Sequence, residues 1–98
     1  MAAVIQGFRC SHTQELWETG KSTYFGPEIR KRGLARLAQL NYARAVADLR
    51  LPKSNNLEAL KGNRAGRFSV RVNQQWRLCF TWGKDDAGPD AVEIVDYH

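Results

Sequence analysis

The chain has 98 residues, 43% of them hydrophobic, and a formal net charge of +5 at pH 7. This length predicts a single domain over residues 1–98 with a small core, and the hydrophobic share excludes an intrinsically disordered chain. The positive charge favours a polyanionic or acidic partner. Nucleic acid is the commonest such partner, and a membrane surface or an acidic protein is the alternative.

Several classes of protein are not supported by the sequence. No apolar run approaches the ~20 residues that span a bilayer. Residues 1–5 lack the charged start and long apolar stretch of a signal peptide, which favours a cytoplasmic protein. Cys10 and Cys79 match no metal-binding spacing and are expected to be small buried hydrophobic residues. Phosphate-cradling and metal-binding motifs are absent, so neither a metal nor another cofactor is predicted.

The first half of the chain carries one strand signal and then helix signals. Residues 3–8 indicate a short strand, and a capping box from Ser11 to Gln14 predicts a helix that ends near Gly20. Pro27 fits the first position of a longer helix, and a further short helix is expected over residues 45–49. The inward face of the longer helix is predicted to carry Ile29, Leu34, Leu37, Leu40 and Asn41. Residues 51–56 are predicted to form a loop.

After residue 66 the hydrophobic period changes to two, which is typical of half-buried antiparallel strands. Three strands are predicted, over residues 67–72, 76–82 and 92–97. Trp76 and Trp82 could be platforms for stacking nucleobases, but their spacing favours the core. Together with the N-terminal strand, this pattern predicts an α+β fold. Two to three helices would pack on one face of a mainly antiparallel four-stranded sheet.

The loop between the first two of these strands sets which residues face each other. A three-residue loop over residues 73–75 places Arg71 directly opposite Arg77 on the face away from the helices. Like charges in that position destabilise a sheet, so such a pair favours shared binding of one anion. A five-residue loop would instead place Asn73 opposite Arg77.

Basic residues dominate the segment after residue 60. Arg64, Arg67, Arg71 and Arg77 occur with no intervening acid, and a planar guanidinium matches two phosphate oxygens, so this cluster is a candidate phosphate-binding face. A solvated sheet face is the alternative. Lys61 is either a cation that stabilises a transition state and assists proton transfer or an ordinary surface lysine.

Two titratable rings, Tyr97 and His98, occupy the last two positions. Histidine is a proton shuttle near neutral pH, and tyrosine can stack on a base or donate to a phosphate oxygen. A frayed chain end is the alternative. Alternation places Tyr97 on the face of Arg77 and points Asp96 to the other face. A basic, metal-free site for phosphodiester cleavage indicates RNA, whose own 2′-hydroxyl can be the nucleophile.

Three segments are specific in combination, although each is weak alone. They are LEALKGNRAG at 57–66, QWR at 75–77 and DYH at 96–98. In this order and spacing they resemble the HigB branch of the RelE-like toxins, and the resemblance extends over the entire chain. It implies a metal-independent, ribosome-dependent mRNA endonuclease that inhibits translation. It also implies a HigA-like helix-turn-helix antitoxin as partner, binding of operator DNA only through that antitoxin, and no membrane partner.

The resemblance also implies roles for individual residues. Lys61, Arg77 and Tyr97 match catalytic positions of the family, and the adjacent His98 is a candidate general acid. Some members have a histidine where this chain has Glu58, so Glu58, Lys61, Tyr97 and His98 are all candidates for the general base. The residues expected to bind RNA are Arg36, Arg64, Arg67 and Arg71. On this interpretation, Arg77→Ala abolishes cleavage and leaves the fold intact. The alternatives are a non-catalytic RNA- or ribosome-binding module and a protein-interaction module.

Overall fold

The structure, a computed structural model, describes residues 4–84 and 87–96. Two α-helices come first, α1 (Ser11–Thr19) and α2 (Pro27–Tyr42), and three short 3-10 helices follow, at Val46–Arg50, Lys53–Asn55 and Gly62–Arg64. The strands are β1 (Glu58–Ala59), β2 (Arg67–Arg71), β3 (Trp76–Trp82) and β4 (Pro89–Asp96). They form one antiparallel sheet in the order β1-β2-β3-β4. The predicted α+β class with a four-stranded sheet is confirmed.

Helix α1 begins without the predicted capping box. Cys10 is its N-cap residue, Ser11 lies inside the first turn, and no side chain caps the N-terminal N–H groups. The predicted end is correct. Gly20 adopts a φ of 74° and donates its N–H to the carbonyl of Leu16 at 2.9 Å. Glycine takes this left-handed conformation without the strain that a Cβ would bring, so it ends the helix.

Helix α2 starts at Pro27 as predicted, where the missing N–H of proline has no helical partner to lose. Its buried residues are Ile29, Gly33, Leu37 and Leu40. Gly33 allows a close approach to the sheet, because a Cβ there would lie 3.0 Å from Cδ1 of Ile94 on β4. Asn41, predicted on the inward face, is half-buried, and its Oδ1 accepts the N–H of Ile5 at 3.0 Å.

The core lies between the two helices and one face of the sheet. Its fully buried members include Leu16, Leu37, Leu40, Leu49, Val70, Leu78, Phe80 and Val92. Each such side chain stabilises the fold by about 1.5–3 kcal/mol relative to exposure. Trp76 and Trp82 pack against this cluster, and Trp76 meets Phe25 edge to face with 5.6 Å between ring centroids. The prediction that both tryptophans belong to the core is confirmed.

The β2–β3 hairpin has the register that the shorter loop predicts. Arg71 lies opposite Arg77. The turn is fixed by Asn73, whose Oδ1 accepts the N–H groups of Gln75 and Trp76, both at 2.8 Å. An asparagine that bonds its own downstream backbone in this way is a common device of tight turns. The like-charged pair is therefore a real feature of this sheet.

The predicted N-terminal strand is not the fourth strand of the sheet. Among the described residues, its segment forms one isolated parallel bridge, between Phe8 and Val92 of β4. The N–H of Arg9 donates to Val92 at 3.0 Å, and the N–H of Val92 donates to Gly7 at 3.1 Å. The fourth strand is β1. It has two residues, both exposed, so it carries no periodic signal that a sequence could reveal.

In addition to this bridge, a side chain of α1 accepts a hydrogen bond from a backbone N–H of β4. Thr13 is fully buried, and its Oγ1 accepts the N–H of Ile94 at 2.9 Å. A buried N–H without a partner costs the desolvation free energy of that group. Thr13 therefore joins the first helix to the last strand.

Replacing Thr13 by valine should lower the free energy of unfolding by about 1–3 kcal/mol, because the isosteric side chain leaves the Ile94 N–H buried without an acceptor. Thr13→Ser keeps the hydroxyl and should retain most of the stability. Chemical denaturation of both variants measures the difference. Equal stabilities of the valine and serine variants would contradict the role assigned to this hydrogen bond.

Candidate active site

The sheet face away from the helices is covered, although strand alternation predicted a solvent face. Ser69, Arg77 and Cys79 lie on it and are exposed by only 0%, 7% and 2%. At Arg77 the expectation of a solvated sheet face is wrong, because the segment over residues 56–64 folds across this face. Leu60 in that segment is itself buried.

Within the residues that the structure describes, hydrogen bonds to Ser69 and Asn56 hold Arg77 in place. Its Nε donates to Oγ of Ser69 at 2.9 Å, and its Nη2 donates to the carbonyls of Asn56 at 2.6 Å and Ser69 at 3.4 Å. Ser69 lies on β2 and Asn56 precedes β1, so the guanidinium joins the middle of the sheet to the covering segment. A buried guanidinium needs such acceptors, because an unpaired buried charge is strongly disfavoured.

Glu58 lies at the rim of this arrangement. It is opposite Ser69 in the β1–β2 pair, and its Oε1 is 3.8 Å from Nη1 of Arg77. At this distance the two groups form an ion pair, but they are too far apart for a hydrogen bond. The Glu58 side chain is 48% exposed and that of Arg77 is 9% exposed. The structure thus brings two of the predicted catalytic residues together, with an accessible carboxylate beside a fixed cation.

Arg71 and Arg36 form a second basic position at the end of the β2–β3 hairpin. Arg71 is exposed, and its carbonyl accepts the Nε–H of Arg36 at 2.9 Å. Burial, together with the charge of Arg32, lowers the pKa of Arg36 from its ordinary value. The three arginines line a cavity of about 190 Å³ with Ser54. Two of the predicted RNA-binding residues are therefore adjacent.

Arg64 and Arg67 line a different cavity. It includes Cys79, which follows Arg77 by two residues on β3. Arg67 is largely buried and forms an ion pair with Glu93 at 2.8 Å. Arg9 also approaches Glu93, at 3.9 Å. A carboxylate thus lies among the arginines, so this part of the face is not uniformly basic.

Cys79 lines that cavity, and the neutral form of its thiol is favoured. Burial raises the pKa of its thiol, and the charge of Glu93 adds to the increase, whereas the nearby arginines, Arg67 first, oppose it. The neutral thiol agrees with the prediction of a small buried hydrophobic residue. Cys10 is half-buried and is not among the residues that line this cavity.

Lys61 is exposed. It follows the end of β1 by two residues and directly precedes the 3-10 turn at Gly62–Arg64. Its carbonyl accepts the N–H of Arg64 at 3.2 Å, and the neighbouring Leu60 donates to the Arg67 carbonyl at 2.8 Å. Its backbone is therefore fixed while its side chain faces solvent. Tyr97 and His98, the remaining predicted catalytic residues, lie outside the described residues.

Three residues of this face were not predicted as partners of its arginines. Ser69 and Asn56 hold Arg77, and Glu93 holds Arg67. Strand alternation places Ser69 and Glu93 on the face of the arginines, but alternation alone does not predict that they bind them. No sequence signal marks the carbonyl of Asn56. Asp96, predicted to point to the other sheet face, accepts a hydrogen bond from Nε2 of Gln75 at 2.8 Å.

Metal sites and membrane-spanning helices are two other features to consider. Within residues 4–84 and 87–96, no group of three His, Cys, Asp or Glu side chains is arranged to hold a metal ion. Over the same residues, no helix is long and apolar enough to cross a membrane.

Solved structures define the class of fold. The chain is similar to a chain of the YoeB-YefM complex from Staphylococcus aureus, with a TM-score of 0.59, 19% identity, and coverage of 100% of this chain and 99% of that one. It is also similar to the YoeB/ParE toxin from Agrobacterium tumefaciens, with a TM-score of 0.55, 17% identity and complete coverage of both chains. At these identities the likeness establishes the fold alone, which is the α+β fold of YoeB-type toxins.

Sequence comparison identifies the family within that fold. The family described as RelE-like toxin of type II toxin-antitoxin system HigB matches residues 6–98. Toxin HigB-1 from Vibrio cholerae is 38% identical over 76 residues, which cover 76% of this chain and 80% of that protein. The chain therefore belongs to the HigB-like family of RelE-like type II toxins, as the resemblance predicted.

The buried environment of Arg77 changes what its substitution should do. Arg77→Ala should lower the free energy of unfolding by about 2–4 kcal/mol, because it leaves the Ser69 hydroxyl and the Asn56 carbonyl without their donor. The structure thus predicts a less stable variant, where the sequence alone predicted an intact fold. Arg71→Ala, on the exposed side of the same pair, should change stability by less than about 0.5 kcal/mol. Urea denaturation of both variants is the measurement, and equal losses would contradict the assignment.

The raised thiol pKa predicts that Cys79 resists alkylation in the folded protein. The neutral thiol is the favoured form, so its contribution to stability is present below the ordinary thiol pKa and is lost as pH rises through the raised value. At mildly alkaline pH, iodoacetamide should modify Cys10 first and Cys79 only after unfolding. Peptide mass spectrometry distinguishes the two sites. Modification of native Cys79 as fast as Cys10 would contradict this prediction.

Proposed function

We propose that the chain is a ribosome-dependent endoribonuclease that cleaves mRNA and thereby inhibits translation, without a metal, using the 2′-hydroxyl of the substrate as nucleophile. The observation that carries this proposal is the exposed carboxylate of Glu58, which lies 3.8 Å from the fixed guanidinium of Arg77. Membership of the HigB-like family supports the same activity.

The proposed reaction needs three contributions. A base removes the proton from the 2′-hydroxyl, and that oxygen attacks the adjacent phosphorus. A cation stabilises the extra charge on the pentavalent phosphate, and an acid protonates the departing 5′-oxygen. The products are a 2′,3′-cyclic phosphate and a 5′-hydroxyl end. The heavy atoms of both products come from the substrate, and the one proton taken up by the base is balanced by the one that the acid gives to the 5′-oxygen, so the protein supplies charge, proton transfer and position.

The described residues fit two of these contributions. Glu58 is the proposed base, because a half-exposed carboxylate can reach a substrate hydroxyl while the buried guanidinium limits its movement. Arg77, assisted by Arg71 opposite it in the sheet, supplies positive charge for the phosphate. Lys61, with its exposed side chain beyond β1, is the second proposed cation. Tyr97 is proposed to orient the phosphate or stack on a base, and His98 to be the acid.

The proposed partners are the ribosome with its mRNA and a HigA-like helix-turn-helix antitoxin. The family is that of type II toxin-antitoxin toxins, and the similar S. aureus chain is from a complex named YoeB-YefM. Operator DNA would be bound only through the antitoxin. The exposed side chains of Arg64 and Arg71, with Arg36 beside the latter, would contact RNA and give salt-sensitive binding.

A non-catalytic RNA- or ribosome-binding module is the second candidate. The observation that favours it is that two of the arginines expected at the phosphate are already engaged, Arg77 with Ser69 and Arg67 with Glu93. Such a module would use the same exposed arginines and would leave the RNA intact.

Glu58→Gln separates the two candidates, because it removes the proposed base from an exposed position and should not affect the fold. In a translating extract, primer extension on mRNA should show cleavage by the wild-type chain and a rate lower by about 100-fold or more in the variant. Lys61→Ala should also reduce the rate. Glu15→Gln on α1 is the matched control and should cleave like the wild type.

Two results would contradict the proposal. Cleavage by Glu58→Gln at the wild-type rate would show that the base lies elsewhere. Ribosome binding by the wild-type chain without any cleavage would favour the non-catalytic module. Addition of the cognate antitoxin should suppress the activity, which checks that the cleavage comes from the toxin itself.

A further inference from the structure

A cavity of about 310 Å³ lies on the same sheet face as Arg77. Its lining includes Leu60, Arg64, Arg67, Cys79, Glu93 and Val95. The segment after β1 and the strands β2, β3 and β4 all contribute, so the walls belong to fixed elements of the fold. Its volume is at the lower end of the ~300–1,000 Å³ range of ligand pockets, so it suits a single ring system.

The carboxylate of Glu93 sets this cavity apart from a phosphate site. Its Oε2 accepts a hydrogen bond from Nη2 of Arg67 at 2.8 Å and lies 3.9 Å from Nε of Arg9. Both contacts use one oxygen, and Oε1 has no hydrogen-bond partner in the part of the chain that the structure describes. A carboxylate repels phosphate oxygens, but it accepts hydrogen bonds from N–H groups.

The arginines and the apolar walls complete the lining. Arg67 is 12% exposed in its side chain, and its Nη2 also reaches the Ala91 carbonyl at 3.3 Å, so its position is fixed. Leu60, Val95 and the neutral thiol of Cys79 offer nonpolar surface to a planar ring. Hydrogen bonds to base edges and stacking on guanidinium planes are the usual means by which proteins recognise unpaired RNA bases.

We propose that this cavity binds one nucleobase of the substrate RNA and that guanine is the base it prefers. Guanine presents a ring N–H and an amino group side by side, which match the two oxygens of Glu93, and its O6 accepts from an arginine. Adenine, cytosine and uracil each present a single donor group on this edge. The inference rests on the proposed RNA function and adds to it a means of choosing the sequence.

Nucleotide binding to the free protein tests this proposal directly. Guanosine, inosine and adenosine 5′-monophosphates share the phosphate and ribose, and inosine differs from guanosine only by the missing amino group. In NMR titrations of the wild-type chain, the guanosine nucleotide should bind about tenfold more tightly than the adenosine nucleotide. The inosine nucleotide should lie between them. The shifted backbone amides should be those of Arg67, Cys79 and Glu93.

The substitution Glu93→Gln replaces one acceptor by a donor and should reduce the guanosine preference to less than about twofold. Glu15→Gln on α1 is the control and should keep the wild-type preference. If Glu93→Gln does not fold, the wild-type comparison of guanosine with inosine decides the matter. Equal binding of the three nucleotides, no guanosine-dependent shifts in the cavity, or an unchanged preference in a folded Glu93→Gln would each overturn the proposal.

This experiment also separates the base site from the proposed catalysis. Nucleotide binding is measured without ribosomes or cleavage, so a guanosine preference in a protein that fails to cut mRNA would support the base site and contradict the endonuclease. Cleavage of mRNA without any nucleotide preference in the free chain would support the endonuclease and contradict the base site.

Discussion

The burial of the Arg77 guanidinium is the constraint on which the covered face of the sheet depends. A guanidinium that is 7% exposed must find acceptors, and Ser69 and Asn56 provide them. Because Asn56 precedes β1, this pairing ties the covering segment to the centre of the sheet. Glu58 and Leu60 then follow in fixed positions, the first at the rim and the second buried over the sheet. The covered face is thus built around one side chain.

The charges on this face form small groups of mixed sign. Glu58 lies beside Arg77, and Glu93 lies between Arg67 and Arg9. Arg71, directly opposite Arg77, is tolerated because the Arg77 side chain is held by Ser69 and Asn56, whereas that of Arg71 is exposed. An RNA on this surface would therefore meet acceptors as well as cations. Recognition of a base edge uses acceptors together with donors, whereas contacts to the phosphate backbone alone carry no sequence information.

Sequence reasoning predicted the features that repeat with a regular period or depend on a single special residue. The α2 start at Pro27, the α1 end at Gly20 and the Arg71–Arg77 register all follow from local rules. It failed for β1, since two exposed residues have no period, and for the N-terminal strand, whose pairing depends on the edge of β4. It also failed for the exposure of Arg77, because alternation gives the side of a sheet and gives no information on what covers that side.

The same limit applies to the catalytic role that the sequence predicted for Arg77. Sequence and family resemblance treated Arg77 as a functional group on an open surface. The structure makes it a part of the fold, so its loss would remove the support of the covering segment together with any charge at the phosphate. Replacement of Arg77 would therefore affect stability together with the proposed activity. At Glu58 the proposed chemistry can be tested apart from stability, because its side chain is half-exposed and its contact with Arg77 is an ion pair at 3.8 Å. Substitutions at Glu58 and Lys61 therefore test the proposed chemistry of this face more directly than a substitution at Arg77.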